Sequence, residues 1–280
     1  MALDVKRLRQ ERVYETRLPL DIVESECGSM EDLAVSLRSS RRQFQLIGAV
    51  TLLCGLIGLI LYWPVGVVLA ATSTAAFFRV RQYPKAIASN VWRCALLKSV
   101  TRMLAHDVDH KSRAAIRLAF DPQRELLGES KLANRKNGRQ QTFKAPWFSL
   151  EADLHDGTTF TETIDDLVRR RSFTNPRGKS KVKTRVRSLL GMRFAYRSKV
   201  YGDVSKLAKL MQQEMKLPAG ASLREVEVTG RVIKVKAVVT NADELARASS
   251  MLALGVYRVM NLSREIEARK RSQQKSGGAR

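Results

Sequence analysis

The sequence predicts a membrane-anchored α+β protein, in which a transmembrane helical hairpin precedes a small antiparallel-sheet domain with a long C-terminal helix. Residues 43–78 contain no Asp, Glu, Lys or Arg, and several stretches between residues 148 and 239 alternate apolar with polar side chains. Apolar side chains also recur at helical spacing over residues 245–266. Buried helices of soluble proteins seldom run so long without charge, and strands followed by a terminal helix are typical of an α+β domain.

The N-terminal segment, residues 1–42, is predicted to lie in the cytoplasm. Residues 1–28 are charged and show no regular period. Ser29 then precedes Met30, Glu31 and Asp32, as an N-cap followed by acidic first-turn residues. We therefore expect a helix to begin after Ser29, and this helix can continue straight into the apolar run.

Residues 43–80 are predicted to form the transmembrane hairpin. About 20 helical residues cross the hydrocarbon core, so the 36 residues of the uncharged run are too many for one untilted span and slightly few for two. Tyr62, Trp63, Pro64 and Gly66 combine interfacial aromatic rings with turn-forming residues at its centre. The alternative is a single long tilted helix kinked at Pro64, which would place the C-terminal region on the opposite side of the membrane.

Basic residues flank the uncharged run on both sides, whereas the predicted turn has none. The flanking residues are Arg38, Arg41, Arg42, Arg79, Arg81 and Lys85. Since Lys and Arg accumulate on the cytoplasmic side of membrane helices, we expect both termini in the cytoplasm. The predicted location is the inner or plasma membrane.

Residues 81–112 are predicted to form an amphipathic connecting helix after Pro84. Ile87, Val91, Leu96 and Val100 recur at helical spacing. Two interpretations remain open: an interfacial helix with Trp92 among the lipid headgroups, or a helix that packs its apolar stripe on the folded domain.

Residues 113–269 are predicted to form a basic α+β cytoplasmic domain. Its first elements are a strand at 116–120, a hairpin turning at Asp156-Gly157 between strands 148–154 and 158–164, and a strand at 182–196 with Lys183, Arg185 and Arg187 on one face. A helix capped by Asp203, strands 223–228 and 232–239 turning at Thr229-Gly230, and the terminal helix follow. The remaining residues, 270–280, are polar and are predicted to form a disordered tail.

Charge is the most unusual property of the chain, which has 50 Lys and Arg against 27 Asp and Glu, a net charge of +23. Residues 169–199 alone contain twelve Lys or Arg and no acid. A flexible Gly/Pro loop leading into a basic strand can lay several cations along a polyanion; the alternative is a solvated cationic loop. The predicted polyanion-binding residues are Arg169, Arg170, Arg171, Arg177, Lys179, Lys181, Lys183, Arg185 and Arg187.

Anionic lipid headgroups are the favoured partner of this basic region, because a tethered domain meets them at high local concentration. Nucleic acid is the alternative polyanion. A third possibility is a scaffold, in which residues 243–270 dock a protein partner or a second copy of the chain.

Catalytic and metal-binding patterns are weak in this sequence. His106 and His110 would share a helix face as metal ligands, but no third ligand has a matching spacing. Cys27, Cys54 and Cys94 are widely spaced and odd in number, so they predict no disulfide framework. Because no nucleophile elbow, phosphate-binding loop or dinucleotide fingerprint is present, we expect a non-enzymatic protein without metal or cofactor.

Overall fold

The computed structural model divides the chain into two compact units. Residues 1–12 and 25–94 form the helical unit, and residues 13–24 and 95–280 form the sheet unit. The structure describes residues 3–61, 63–82, 85–108, 112–132, 138–174 and 178–277.

Five helices occur in the described residues before the sheet proper: α1 (Val5–Glu11), α2 (Leu20–Leu61), α3 (Trp63–Gln82), α4 (Lys85–Ser89) and α5 (Trp92–Leu104). The expected continuation of the first helix into the apolar run is confirmed, since α2 is unbroken. Its predicted start at Ser29 was wrong. The Ser29 hydroxyl instead donates to the carbonyl of Ser25 at 3.5 Å inside the helix.

Helices α2 and α3 pack side by side as a helical pair. The Ser73 hydroxyl, which is fully buried, donates to the Gly48 carbonyl at 2.9 Å. Pro64 is the second residue of α3, where its missing N–H removes no intrahelical hydrogen bond. The chain therefore folds back near residue 62, and the alternative of one long helix kinked at Pro64 was wrong.

Across the described parts of the chain, no helix is both long enough and apolar enough to cross a membrane. The predicted transmembrane character of the helical pair is therefore not supported.

The amphipathic stripe after Pro84 is packed inside the protein. Ile87, Leu96, Leu97, Val100 and Leu104 are all at most 3% exposed. The stripe was interpreted either as an interfacial surface among lipid headgroups or as a surface packed on protein, and the observed burial agrees with packing on protein. The stripe spans two helices, α4 and α5, rather than one.

An eight-stranded, wholly antiparallel sheet forms the centre of the sheet unit. Its strands are β1 (Val13–Leu18), β2 (Ala114–Ala119), β3 (Glu125–Lys131), β4 (Arg139–Asp153), β5 (Thr159–Thr174), β6 (Ser180–Ala195), β7 (Ala221–Thr229) and β8 (Val232–Val239). The order is β1-β2-β4-β5-β6-β8-β7, and β3 pairs with the first part of β4. The predicted α+β class with an antiparallel sheet is confirmed.

The predicted hairpin turns are confirmed, and both use glycine in the left-handed region. Gly157 between β4 and β5 has φ 78°, and Gly230 between β7 and β8 has φ 57°. Strands β1 and β3 were not predicted. Pairing of β1 with β2 brings residues 13–24 into the sheet unit, although the sequence assigned them to the N-terminal segment.

One face of the sheet is covered by the C-terminal helix α8 (Leu245–Gly277). Phe194 of β6 contacts Phe160 of β5 at a centroid distance of 5.0 Å and Tyr257 of α8 at 5.5 Å. The apolar stripe of α8 is buried at Leu245, Ala248, Leu252, Val256, Val259 and Met260. A short helix α6 (Ser198–Tyr201) and helix α7 (Ala208–Glu214) complete this layer, and α8 continues past Lys270, where we predicted a tail to begin.

A β-bulge at Trp147 separates the covered part of the sheet from an extension that we name the basic arm. The arm consists of β3 with residues 139–146 of β4, 165–174 of β5 and 180–187 of β6. The register of β4 with β5 shifts between Pro146 and Phe148, where Pro146 cannot donate to the ladder. The Trp147 indole and the Ser188 hydroxyl both donate to Asp166, at 3.1 and 2.8 Å, and so fix the base of the arm.

A carboxyl group lies inside the covered half of the sheet. Glu162 of β5 is fully buried beside Ser249 of α8, and neither of its carboxyl oxygens has a hydrogen-bond partner among the described residues. Burial raises the pKa of Glu162 to about 7, and the nearby Ser249 hydroxyl offsets only part of that rise. The folded state therefore prefers the neutral acid.

Replacing Glu162 with Gln should remove a pH-dependent loss of stability. The stability held by the protonated carboxyl is fully present below pH 4.5, the unperturbed pKa, and is lost as the pH rises through about 7. At pH 8 we expect Glu162→Gln to unfold at higher urea concentration than the wild type, with a gain of up to about 3 kcal/mol. At pH 4 the two should agree.

Glu151→Gln is the matched control, because this exposed glutamate lies on the neighbouring strand β4. Its stability should stay within about 0.5 kcal/mol of the wild type at both pH values. An equal gain in both variants, or no gain for Glu162→Gln at pH 8, would contradict a buried neutral carboxyl.

Candidate polyanion-binding face

The basic side chains of β5 and β6 gather on the sheet face opposite α8, which we name the open face. In the β5–β6 ladder Arg169 pairs with Arg185, Arg171 with Lys183, and Leu167 with Arg187. Because side chains alternate along a strand and directly opposed residues share a face, these five cations lie together. The predicted common face of Lys183, Arg185 and Arg187 is confirmed.

The other predicted binding residues are distributed differently. Lys181, opposite Phe173, also belongs to the open face, whereas Arg170, opposite Thr184, lies on the α8 side. Lys179 is exposed in the connection just before β6. Arg177 lies outside the described residues. The structure therefore does not bring all nine predicted residues onto one surface, and their role in binding stays a prediction.

A pocket of about 170 Å³ opens on this face. It is lined by Thr142, Leu167, Arg169, Arg185, Arg187, Arg224 and Val238. Four of the seven are arginines, and none is acidic. We name these four the pocket arginines.

Arg224 reaches the pocket through a second bulge. The register of β7 with β8 shifts between Leu223 and Glu225, so Arg224 is the extra residue. A bulge re-aims a side chain relative to the regular strand alternation. Sequence reasoning missed Arg224, because a single arginine in a predicted strand gives no sign of a bulge or of a neighbour 37 residues earlier along the chain at Arg187.

The charges of the open face are balanced near β7 and β8 but not at the pocket arginines. Lys234 pairs with Glu227 at 3.1 Å, and Lys236 with Glu225 at 2.8 Å. Among the residues that the structure describes, no ion pair joins any of the pocket arginines to a carboxylate. Unneutralised cations in a concave site attract an anion and repel one another.

The outer edge of the arm, formed by residues 180–187 of β6, is also available for contact with a ligand. Strand β8 pairs with β6 only from Ser188 onward, and no described strand pairs with residues 180–187 on that side. The side chains of these eight residues are exposed on both faces. The Arg171 guanidinium donates a hydrogen bond to the Gln140 side chain on the neighbouring strand β4 at 2.7 Å, and this bond orients the Arg171 side chain.

A second, polar pocket of about 350 Å³ lies at the other end of β4 and β5. It is lined by His106, Asp107, Leu154, His155, Asp156, Tyr201, Tyr257, Asn261 and Arg264. The Tyr201 hydroxyl donates to Asp156, whose other oxygen accepts from the backbone N–H of Thr158 at 2.7 Å. The one signal in the sequence was the repeated His-Asp pair at residues 106–107 and 155–156.

Both tyrosines of this polar pocket are poor nucleophiles. Burial is the main cause that raises the pKa of Tyr201 and of Tyr257, and the nearby acids add to it. Both hydroxyls therefore stay protonated near neutral pH. The pocket therefore offers two neutral hydroxyl groups beside His106 and His155.

Metal-ligating side chains do not converge in the described part of the chain. No group of three or more His, Cys, Asp or Glu residues there is placed to hold a metal ion. His106 lies in the polar pocket, but His110 lies outside the described residues. The three cysteines are free thiols, of which Cys27 and Cys94 are buried and Cys54 is exposed.

Comparison of the chain with protein-family models, with curated proteins and with solved structures gives no match.

Repulsion across the arm predicts a gain in stability when one charge is removed. Arg185 lies directly opposite Arg169, and like charges in that position destabilise a sheet by about 0.2 to 1 kcal/mol. Arg185→Gln should therefore raise the free energy of unfolding by that amount in low salt. The gain should shrink at 1 M NaCl, where the screening length falls to about 3 Å; a loss of stability in low salt would contradict uncompensated repulsion.

Proposed function

We propose that the chain is a non-enzymatic, membrane-associated protein whose open face binds the anionic surface of the membrane. The observation that carries this proposal is the cluster of pocket arginines, joined by Arg171 and Lys183 on the same face and lacking acid partners among the described residues. Cations aligned on a rigid strand pair meet a planar anionic surface together.

The magnitude of this attraction requires several cations to act together. Each Lys or Arg near an anionic bilayer contributes about 1 kcal/mol. The five cations of β5 and β6 on the open face therefore contribute at most about 5 kcal/mol, and salt reduces that sum because the screening length is only about 8 Å at physiological ionic strength. A single substitution in this set should have a small effect.

Exposed apolar side chains on the helical pair support association with lipid. Leu46, Val50, Leu53 and Leu56 of α2 and Trp63, Val68 and Phe78 of α3 are each more than half exposed. Contiguous apolar surface of this kind marks an interaction site in a folded protein. We propose that these side chains embed in the hydrocarbon of the same membrane.

The hydroxyl groups of the helical pair are consistent with that environment. Thr51 donates to Ile47, Thr72 to Leu69 and Thr74 to Ala70, all to carbonyls of the same helix at 2.8 to 2.9 Å. Ser73 donates across the pair to Gly48. Since lipid offers no hydrogen-bond partners, polar groups there must be satisfied within the protein, and these four are.

Two alternatives follow from the same surfaces. Nucleic acid is the runner-up ligand, because phosphate backbones are equally attracted to aligned cations. Docking of a partner through residues 243–270 has less support, since the apolar stripe of α8 is buried against the sheet. Its exposed large apolar residues among those described are Leu254 and Leu262.

A fourfold charge substitution tests the open face. The test variant changes Arg169, Lys183, Arg185 and Arg187 to Gln, and the matched control changes the exposed residues Lys209, Lys216, Arg247 and Arg269. Sedimentation of the full chain with phosphatidylglycerol-containing and neutral vesicles gives the excess binding that is due to anionic lipid. We expect the test variant to lose at least tenfold of this excess at 0.1 M salt, and the control variant to retain it.

An equal loss in both variants would show that net charge, not the open face, governs binding. Parallel titrations with DNA and RNA decide the runner-up. Salt-sensitive binding to nucleic acid alone, without any preference for anionic vesicles, would replace membrane binding by nucleic-acid binding.

Thiol labelling tests the apolar surface of the helical pair. Cys54 is the exposed thiol, since Cys27 and Cys94 are buried. In bilayers we expect a water-soluble maleimide to spare Cys54 and to label it only after denaturation, because lipid would cover the exposed side of α2. A Lys209→Cys variant, changed at an exposed residue of α7 away from the open face, provides the accessible control. Labelling of Cys54 at the same rate as residue 209 in bilayers would contradict embedding.

A further inference from the structure

The arginine pocket has a composition that distinguishes it from a general basic surface. Three pocket arginines come from β5 and β6, whereas Arg224 comes from the bulge in β7. A flat anionic surface needs no such convergence, because cations along one strand pair already meet it. Four guanidinium groups around one concavity indicate a discrete anion.

We propose that this pocket binds one dianionic phosphate monoester group. The inference rests on the proposed function, because it assigns a particular anion to the same open face. A phosphodiester carries one negative charge, whereas a phosphate monoester carries about 1.5 to 2 near neutral pH, with a second pKa near 6. The higher charge matches four guanidinium groups better.

The size of the pocket agrees with a single phosphate group. Its volume of about 170 Å³ admits a ligand group of several non-hydrogen atoms. A phosphate group has five non-hydrogen atoms, so the pocket has room for it. The remainder of the molecule extends outward from the open face.

The lining supplies the hydrogen-bond donors that such an anion requires. Arginine forms parallel paired hydrogen bonds to phosphate oxygens, and the Thr142 side chain, opposite Arg169 in the ladder, adds a neutral donor. Leu167 and Val238 make the lining partly apolar, which strengthens charge interactions by limiting water. Asp165, an acid of the same face, is paired with Lys144 at 3.1 Å.

Phosphate monoesters come from two sources: lipids such as phosphatidic acid, and free phosphate esters in solution. Glycerol 3-phosphate is the soluble monoester probe, glycerophosphoglycerol is the diester probe, and sulfate is a dianion whose charge does not change near neutral pH. Titration calorimetry with the full chain measures all three. We expect one site per chain and tighter binding of glycerol 3-phosphate than of the diester.

The pH dependence gives the sharpest readout. With a second pKa near 6, the dianion fraction of the monoester rises about tenfold between pH 5 and pH 7.5. The affinity for glycerol 3-phosphate should rise by a similar factor, while that for sulfate stays level. Equal affinity for monoester and diester, or the same pH dependence for sulfate and monoester, would overturn the proposal.

Arg224→Gln is the decisive variant, since it removes a pocket arginine outside the basic arm. Arg193→Gln removes the same charge from an exposed position of the open face that does not line the pocket. We expect Arg224→Gln to weaken glycerol 3-phosphate binding at least tenfold, and Arg193→Gln to change it less than twofold. Equal effects would show a diffuse cationic surface and overturn the site.

Binding to vesicles distinguishes a lipid monoester from a free one, and it also distinguishes failure of this inference from failure of the proposed function. Tighter binding to phosphatidic acid than to phosphatidylglycerol at matched total charge, with competition by glycerol 3-phosphate, identifies a lipid; soluble binding without that preference identifies a free ester. If no monoester binds while the fourfold variant still loses anionic-vesicle binding, this inference fails and the proposed function stands. If both results are negative, both fail.

Discussion

The structure of the sheet unit depends on the uninterrupted pairing of β5 with β6. The two strands, of 16 residues each, pair from Thr159 opposite Ala195 to Thr174 opposite Ser180 without a register shift. Helix α8 covers only one end of this ladder. The other end must project as an arm, and a constant register places its alternate cations on one face.

Charged side chains have opposite environments at the two ends of the β5–β6 ladder. In the covered half, Phe194 contacts Phe160 and Tyr257, and burial of Glu162 raises the pKa of its carboxyl to about 7. At the other end, Arg169, Arg185 and Arg187 of the arm share a pocket with Arg224 of β7, and none of the four has an acid partner among the described residues. Backbone pairing and the Trp147–Asp166–Ser188 hydrogen bonds hold this repulsive arrangement in place. Electrostatic repulsion among the arginines is expected at an anion-binding site, because a bound anion reduces that repulsion.

Local patterns in the sequence predicted much of the sheet. Alternation located β4, β5, β6 and β8, and Asp-Gly and Thr-Gly pairs located their turns, because those signals act between near neighbours. Strand β3 was not predicted, because all of its residues are exposed and it is stabilised only by pairing with β4. Strand β1 required pairing with β2, about 100 residues away.

The candidate site was only partly predictable for the same reason. Arg169, Arg185 and Arg187 followed from a charge run on adjacent strands, but Arg224 depends on a bulge and on strand order. The polar pocket joins loops, α6 and α8 from four separate segments, so spacing along the chain could not reveal it. For residues 43–78, the hydropathy pattern correctly predicted a pair of helices. Their predicted transmembrane character lacks support from the described helices.

Hydrogen exchange of the full chain on anionic vesicles measures most directly whether the arm is the contact surface. Residues 180–187 have an unpaired strand edge, so their outward amides exchange readily in the free protein. Binding through the open face predicts slower exchange in 165–174 and 180–187 on phosphatidylglycerol-containing vesicles, reversed by 1 M salt and absent on neutral vesicles. Unchanged exchange in both segments while the chain is bound, or salt-sensitive protection confined to α8, would contradict the account.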